Sequence, residues 1–318
     1  MENKSQLISW AKFLIGWPLS FISLFFIVKL IADKGSQLNI KLENINFYYL
    51  TLSIFLFFVY YLLRSFLWRE QLKEKGYKID FLDNTYRFTF SELKRYTPGN
   101  IWSFLSRASQ FSELGVDKKT IGISILADIQ LVIMGCGIVS LLAIPWLLDS
   151  PIELRTKLVS LLPISTIAIV IFFAATSLIY ARKYSTSILR RNRVEVFSNF
   201  LLPGFEVNSK IKLILISVIT YFIFGVGNYF VLLSVHFLSF DNFIYLSSFF
   251  TFSLLLGYLS FITPVGLGVR ETVVALGLTK IMNIIDASFI AIFSRIILIL
   301  SELSFLLLIF IWKKLSIN

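Results

Sequence analysis

Two short strings in this chain combine a helix-breaking Pro–Gly element with arginine. The first is Arg95-Tyr96-Thr97-Pro98-Gly99-Asn100-Ile101-Trp102, with Arg107 following. The second is Thr263-Pro264-Val265-Gly266-Leu267-Gly268-Val269-Arg270-Glu271. Proline removes a backbone donor and glycine relaxes the limits on φ, so each string interrupts a helix. Thr-Pro also offers a cap followed by a residue suited to the first helical position, which predicts that each break opens a new helix. The free N–H groups and positive dipole end of such a helix suit a phosphate or a carboxylate. Arg107 and Arg270 add planar, forked donors that match phosphate oxygens. The candidate headgroup-binding set is therefore Pro98, Gly99, Asn100, Arg107, Gly266, Gly268, Arg270 and Glu271. The competing reading is a pair of ordinary turns with flanking charge.

Three further charges, Asp128, Arg295 and Glu302, fall inside apolar runs, where an ionised group is expensive and is either functional or paired. Arg295 and Glu302 share one helix face, and Asp128 and Glu302 are the candidates for carrying protons. The expected ion pairs are Asp128 with Arg295 and Glu271 with Arg107. Other chemistry is excluded. The lone Cys136 permits no disulfide within the chain, and with the single His236 it makes neither a metal site nor a nucleophile pair. Gly266-Leu267-Gly268 has no βαβ context and is not a nucleotide loop. No cofactor or metal is expected, and no enzyme activity. A membrane transferase would need an acid–base pair, for which only Glu92, Glu113 and Glu271 are at hand.

The elements that must position these residues are transmembrane helices. Apolar runs of about twenty residues, the length that spans a bilayer as a helix, recur along the chain. The composition agrees, at 57% hydrophobic. Eight crossings are expected, at 10–31, 47–68, 121–148, 152–180, 211–237, 243–262, a short 269–281, and 287–312. The fold class is all-α: a polytopic transmembrane bundle with re-entrant or broken helices at the two Pro-Gly motifs. Residues 81–96 are too polar to span and read as an interfacial or re-entrant helix leading into Pro98. Ser150-Pro151-Ile152-Glu153 forms a capping box, and Asp117, Asp241 and Asp286 are placed to cap later helices. Residues 1–318 read as one integral membrane domain with weak halves at 1–180 and 181–318. The first apolar run is expected to be an uncleaved helix rather than a signal peptide.

Positive charge sets the orientation. With the N-terminus inside, 23 of the 30 Lys and Arg residues fall on the cytoplasmic side and 6 outside, with Arg295 buried in the last span. Both termini are thus expected in the cytoplasm of a prokaryotic cell, with the protein multi-pass in the plasma (inner) membrane. The net charge of +11 follows from this bias and does not imply nucleic-acid binding.

At its two motifs the chain resembles the family named after the transmembrane region of lysylphosphatidylglycerol synthase. The residues that carry the likeness are Pro98-Gly99-Asn100, Arg107, Leu114-Gly115-Val116, Gly266-Leu267-Gly268-Val269-Arg270-Glu271 and Arg295, over roughly residues 10–312. Members include the flippase portion of the bacterial multiple-peptide-resistance factor, which moves aminoacylated phosphatidylglycerol between leaflets. Residues 1–318 hold no aminoacyltransferase domain, so "synthase" does not carry over. The resemblance implies a flippase-like translocator of a lipid or lipid-linked precursor that takes an anionic headgroup from the cytoplasmic side. Its partner would be a membrane phospholipid or lipid-linked glycan, and a homo-oligomer or an envelope-biosynthesis partner is also open. The alternative is a non-transporting accessory subunit of an envelope or glycan-assembly complex.

Overall fold

A computed structural model of the chain describes residues 40, 45–96, 101–148, 202, 204–238, 240–260 and 266–316. The expected first and fourth crossings, the capping box at Ser150 and the residues Pro98, Gly99, Asn100, Thr263 and Pro264 lie outside them. Nine α-helices are formed among the described residues: α1 (Phe47–Glu74), α2 (Phe81–Leu93), α3 (Trp102–Ser112), α4 (Lys118–Leu141), α5 (Ile144–Leu148), α6 (Val207–Val235), α7 (Phe243–Leu259), α8 (Val269–Leu278) and α9 (Ile284–Leu315). Those long and apolar enough to cross a membrane are α1, α4, α6, α7 with its preceding turn, and α9. No strand occurs among the described residues, and the fold is a polytopic helix bundle.

Side-chain pairings give each helix its direction. α1 and α6 run antiparallel, tied by Glu70 to Lys212 at one end and by the Asn46 N–H donating to the Ser234 carbonyl (2.8 Å) at the other. α4 runs with α6, because Ser217 Oγ donates to the Leu131 carbonyl (2.6 Å). α7 runs against α6, and Thr251 Oγ1 donates to the Tyr221 carbonyl (2.9 Å). α9 runs with α1: Tyr61 Oη donates to the Leu298 carbonyl (3.1 Å), and Lys313 pairs with Asp83 just beyond the end of α1. Lys73, Lys118, Lys119, Lys212, Lys313 and Lys314 consequently gather at one end of the bundle. Asp117 caps α4 there by accepting from the Thr120 N–H (2.9 Å). Hydrogen bonds from Thr120 and Tyr77 hold its carboxyl down to about 2.

Two hairpins depart from this up-and-down pattern. α2 leaves the basic end beside Lys313 and climbs along α9 until Arg95, in the 3₁₀ turn Lys94–Tyr96, reaches Glu302. That is eleven residues of α9, or about 16 Å. α3 returns antiparallel, with Arg107 beside Glu92 and Glu113 beside Arg87. Residues 81–96 thus form one arm of a hairpin folded into the bundle. α7 and α8 form the second hairpin, open toward the opposite end. α8 has ten residues, about 15 Å, which is half the roughly 30 Å needed to span. The expected short crossing at 269–281 is therefore a half-helix preceded by non-helical chain.

The helix starts also differ from expectation. α3 opens at Trp102 with Ile101 as N-cap, and α8 opens at Val269 with Gly268 as N-cap. The first helical positions of these two helices are thus Trp102 and Val269. α9 is capped by Asn283, whose side chain accepts from the Ile285 and Asp286 N–H groups, rather than by Asp286. Asn242, not Asp241, precedes α7. Asn competes well with Asp as an N-cap, and the two sit close together at both starts.

Glycine sets the closest helix approaches. A Cβ on Gly225 would meet the Ser247 carbonyl of α7, and one on Gly277 would enter the Phe249 ring. Gly225→Ala should therefore lower the thermal midpoint of the purified protein by the equivalent of about 1–3 kcal/mol. Gly137→Ala, inside α4 with open space around the missing Cβ, should lose no stability and can gain up to about 1 kcal/mol. Thermal unfolding of both variants in one detergent checks this, and equal losses would count against backbone packing at Gly225.

Candidate functional site

Four buried charges close a ring where α1, α2, α3 and α4 meet. Arg64 on α1 reaches Asp128 on α4 (Nη1 to Oδ1, 3.1 Å) and Glu92 on α2 (Nη2 to Oε2, 3.4 Å). Arg107 on α3 closes the ring by pairing with the same two acids, at 2.9 Å to Asp128 Oδ2. Its guanidinium lies between the rings of Phe88 (4.3 Å) and Trp68 (4.7 Å), which adds cation–π attraction. The Tyr221 hydroxyl accepts from Arg64 Nη1 at 3.0 Å and brings in α6. Arg95 extends the network to α9, donating to Glu92 (3.0 Å) and to Glu302 Oε2 (2.6 Å), which also accepts from the Tyr96 hydroxyl (2.8 Å).

Beside this network lies a cavity of about 160 Å³. Its wall takes Tyr60 and Arg64 from α1, Glu92, Arg95 and Tyr96 from the first hairpin, and Ser103 and Phe104 from α3. The far side takes Tyr221 and Phe224 from α6, Gly257 and Tyr258 from α7, Gly266 and Arg270 from the second break, and Arg295 from α9. The Gly-Leu-Gly-Val-Arg-Glu string builds this side. Gly266, at φ +66°, sits so close to the Gly257 backbone that a Cβ would collide with it. Gly268, at φ +87°, turns the chain into α8, a conformation that L side chains rarely adopt. Its N–H donates to Glu271 Oε2 (2.7 Å), and the other oxygen of Glu271 pairs with Arg295 (2.7 Å).

The cluster holds five arginines (Arg64, Arg95, Arg107, Arg270, Arg295) and four carboxylates (Glu92, Asp128, Glu271, Glu302). Arg270 is the cation left over. It lines the cavity, donates to Asn228 Oδ1 at a long 3.2 Å, stacks over Phe224 at 5.0 Å, and meets no carboxylate among the described residues.

The structure thus brings Arg270, Gly266, Asp128 and Arg295 to one cavity, with Glu271 and Glu302 behind its wall. Arg107 is fully buried in its ion pairs and does not line the cavity. The expected pairings are exchanged. Asp128 holds Arg64 and Arg107 rather than Arg295, and Glu271 holds Arg295 rather than Arg107. Spacing along a helix fixes a face but not which neighbour that face meets. Sequence reasoning missed Arg64, Glu92, Arg95 and Tyr96 as site residues. Arg64 lies inside the apolar run 47–68, and that position is itself a signal.

A helix bundle with membrane-spanning elements, two broken hairpins and a charged internal cavity defines a polytopic membrane protein with an interior polar site. The chain belongs to the family described as lysylphosphatidylglycerol synthase TM region, which matches residues 9–303. No curated protein matches it.

The two motif arginines should respond differently to truncation. Arg107→Ala leaves two buried acids short of a partner and should destabilise the protein by about 3–5 kcal/mol. Arg270→Ala removes the unmatched cation and should leave the thermal midpoint close to wild type. Thermal unfolding of the purified variants checks this; a large loss in Arg270→Ala would mean that the cation is structural.

Proposed function

We propose that this protein is a lipid translocator that admits a phosphate-bearing headgroup to the cavity beside Arg270 while the acyl chains stay in the bilayer. The observation that carries the reading is the uncompensated Arg270 guanidinium on the wall of an interior cavity. An unpaired cation at membrane depth is costly, and a phosphate is the anion that a bilayer supplies. Size agrees: about 160 Å³ matches engineered cavities near 150 Å³ that hold a benzene-sized molecule, which suits a headgroup and not a whole lipid. Tyr60, Tyr258 and Ser103 bring hydroxyl-bearing side chains to the same wall. The basic end of the bundle faces the cytoplasm, where lysines and arginines collect, so the protein sits in a prokaryotic plasma membrane with its C-terminus inside. It acts without enzymatic chemistry, on a phospholipid or a lipid-linked glycan.

One observation favours the accessory-subunit alternative. Arg107 is buried in mutual pairs, as a purely structural cluster would have it. Arg270 separates the two readings, because a structural cluster has no use for an unmatched cation facing a cavity.

Reconstitution into liposomes with a leaflet-specific assay, run on anionic, zwitterionic and glycan-linked lipids, tests the proposal. Wild type should move at least one phosphate-bearing lipid. Arg270→Ala should lose roughly ten- to a hundredfold in apparent affinity, since a bond to a charged group contributes about 1.5–3 kcal/mol. Arg270→Lys should recover part of this, because a point charge lacks the planar fork. Wild-type protein that moves none of these lipids would favour the accessory role.

A further inference from the structure

We infer that Glu302 is a proton-binding site whose protonation frees the charge of Arg95 at the cavity wall and so couples proton uptake to headgroup binding. The coupling rests on the headgroup site proposed above. The four carboxylates of the cluster are not equivalent. Both oxygens of Glu92 and of Asp128 accept from arginines of the ring. Glu271 spends one oxygen on the Gly268 N–H and the other on Arg295. A proton on any of these would displace an existing bond. Glu302 is fully buried, its Oε2 takes both Arg95 and Tyr96, and its Oε1 has no hydrogen-bond partner among the described residues. A buried carboxylate oxygen without a donor is costly, and it gains most by becoming an O–H.

A route to it is present. Tyr96 lines the cavity and its hydroxyl donates to Glu302, so it connects the carboxylate to the cavity. A hydronium ion gives up one proton, the Glu302 carboxylate becomes a neutral carboxylic acid, and no other bond changes. The charged or titratable groups that face Glu302 among the described residues are Tyr61 from α1, Glu92, Arg95 and Tyr96 from the first hairpin, and Arg295 seven residues earlier on α9. Of these, Arg95 is the one cation bonded to it.

Neutralising Glu302 changes the balance of the cluster. Arg95 keeps Glu92, and its bond to Glu302 Oε2 becomes one to a neutral acid, so the cluster gains one net positive charge at the cavity wall, beside Arg270. An anionic headgroup then binds more tightly, and by linkage a bound headgroup raises the proton affinity of Glu302 by the same factor. Arg95 and Tyr96 also hold the first hairpin to α9 through Glu302, so the same proton loosens that hairpin.

The test uses the full chain in phosphatidylcholine nanodiscs with a short-chain fluorescent phosphatidylglycerol as probe. Acidification from mildly alkaline to mildly acidic buffer should tighten binding by roughly tenfold or more, the worth of one added charge-assisted bond. Glu302→Gln should bind tightly at both pH values. Arg95→Gln, which keeps Glu302 but removes the freed charge, should stay weak at both and serves if Glu302→Gln does not fold. A wild-type affinity without pH response, or Glu302→Gln responding as wild type does, overturns the coupling. Infrared difference spectra read the proton site on the protein alone: acidification should raise a carboxylic-acid band that is missing in Glu302→Gln. No such band removes the proton site whatever the lipid does. The band with no probe binding at any pH leaves the proton site standing and overturns both the coupling and the headgroup site.

Discussion

The structure depends on the closure of one ion-pair ring. Arg64, Asp128, Arg107 and Glu92 come from four different helices and meet buried inside the bundle. Each buried ion costs several kcal/mol of desolvation, and only a geometry that satisfies all four makes the cluster tolerable. That condition fixes the positions of α1, α2, α3 and α4 relative to one another. α2 and α3 are amphipathic and too short to span; Phe88 and Phe111 pack them on Trp68 of α1, and the ion pairs fix their register. The ring carries them into the bundle, and Arg95 fastens their turn to α9.

Once the ring is closed, the cavity follows. The first hairpin brings Tyr96 and Ser103 to the cavity wall. The second hairpin approaches from the other end and turns back at Gly266. The space left between them is bounded by the ring on one side and by the Glu271–Arg295 pair on the other. Arg270 projects into it from the first turn of α8. Its neighbour Glu271 is already committed to the backbone of Gly268 and to Arg295, so the positive charge of Arg270 stays uncancelled.

The glycines are what make the second break possible. A side chain on Gly266 would collide with the α7 backbone at Gly257, and the left-handed turn at Gly268 is closed to most other residues. With those two positions met, Glu271 reaches back to cap the half-helix whose start it belongs to. The string is thus one mechanical unit: close approach, turn, cation, cap.

The sequence by itself determined the all-α class, the five spanning helices of the described residues, the sorting of charge to one end and the two places where helices break. Those follow from hydrocarbon thickness, backbone hydrogen bonding and the chemistry of proline and glycine, all of which act locally. It also marked Asp128, Arg295 and Glu302 as interior charges, since an ion in an apolar run is anomalous wherever it sits, and Arg270 and Glu271 as part of the second break. Only the tertiary structure decided who pairs with whom. Asp128 chose Arg64 and Arg107, and Glu271 chose Arg295, because pairing depends on which helices are neighbours and that is set by packing over the whole bundle. The same reason hid Arg95 and Glu92, which look like surface charges on an amphipathic stretch until the hairpin is folded inward. It also put Arg107 into the ring and left Arg270 as the cation with no carboxylate to meet among the described residues.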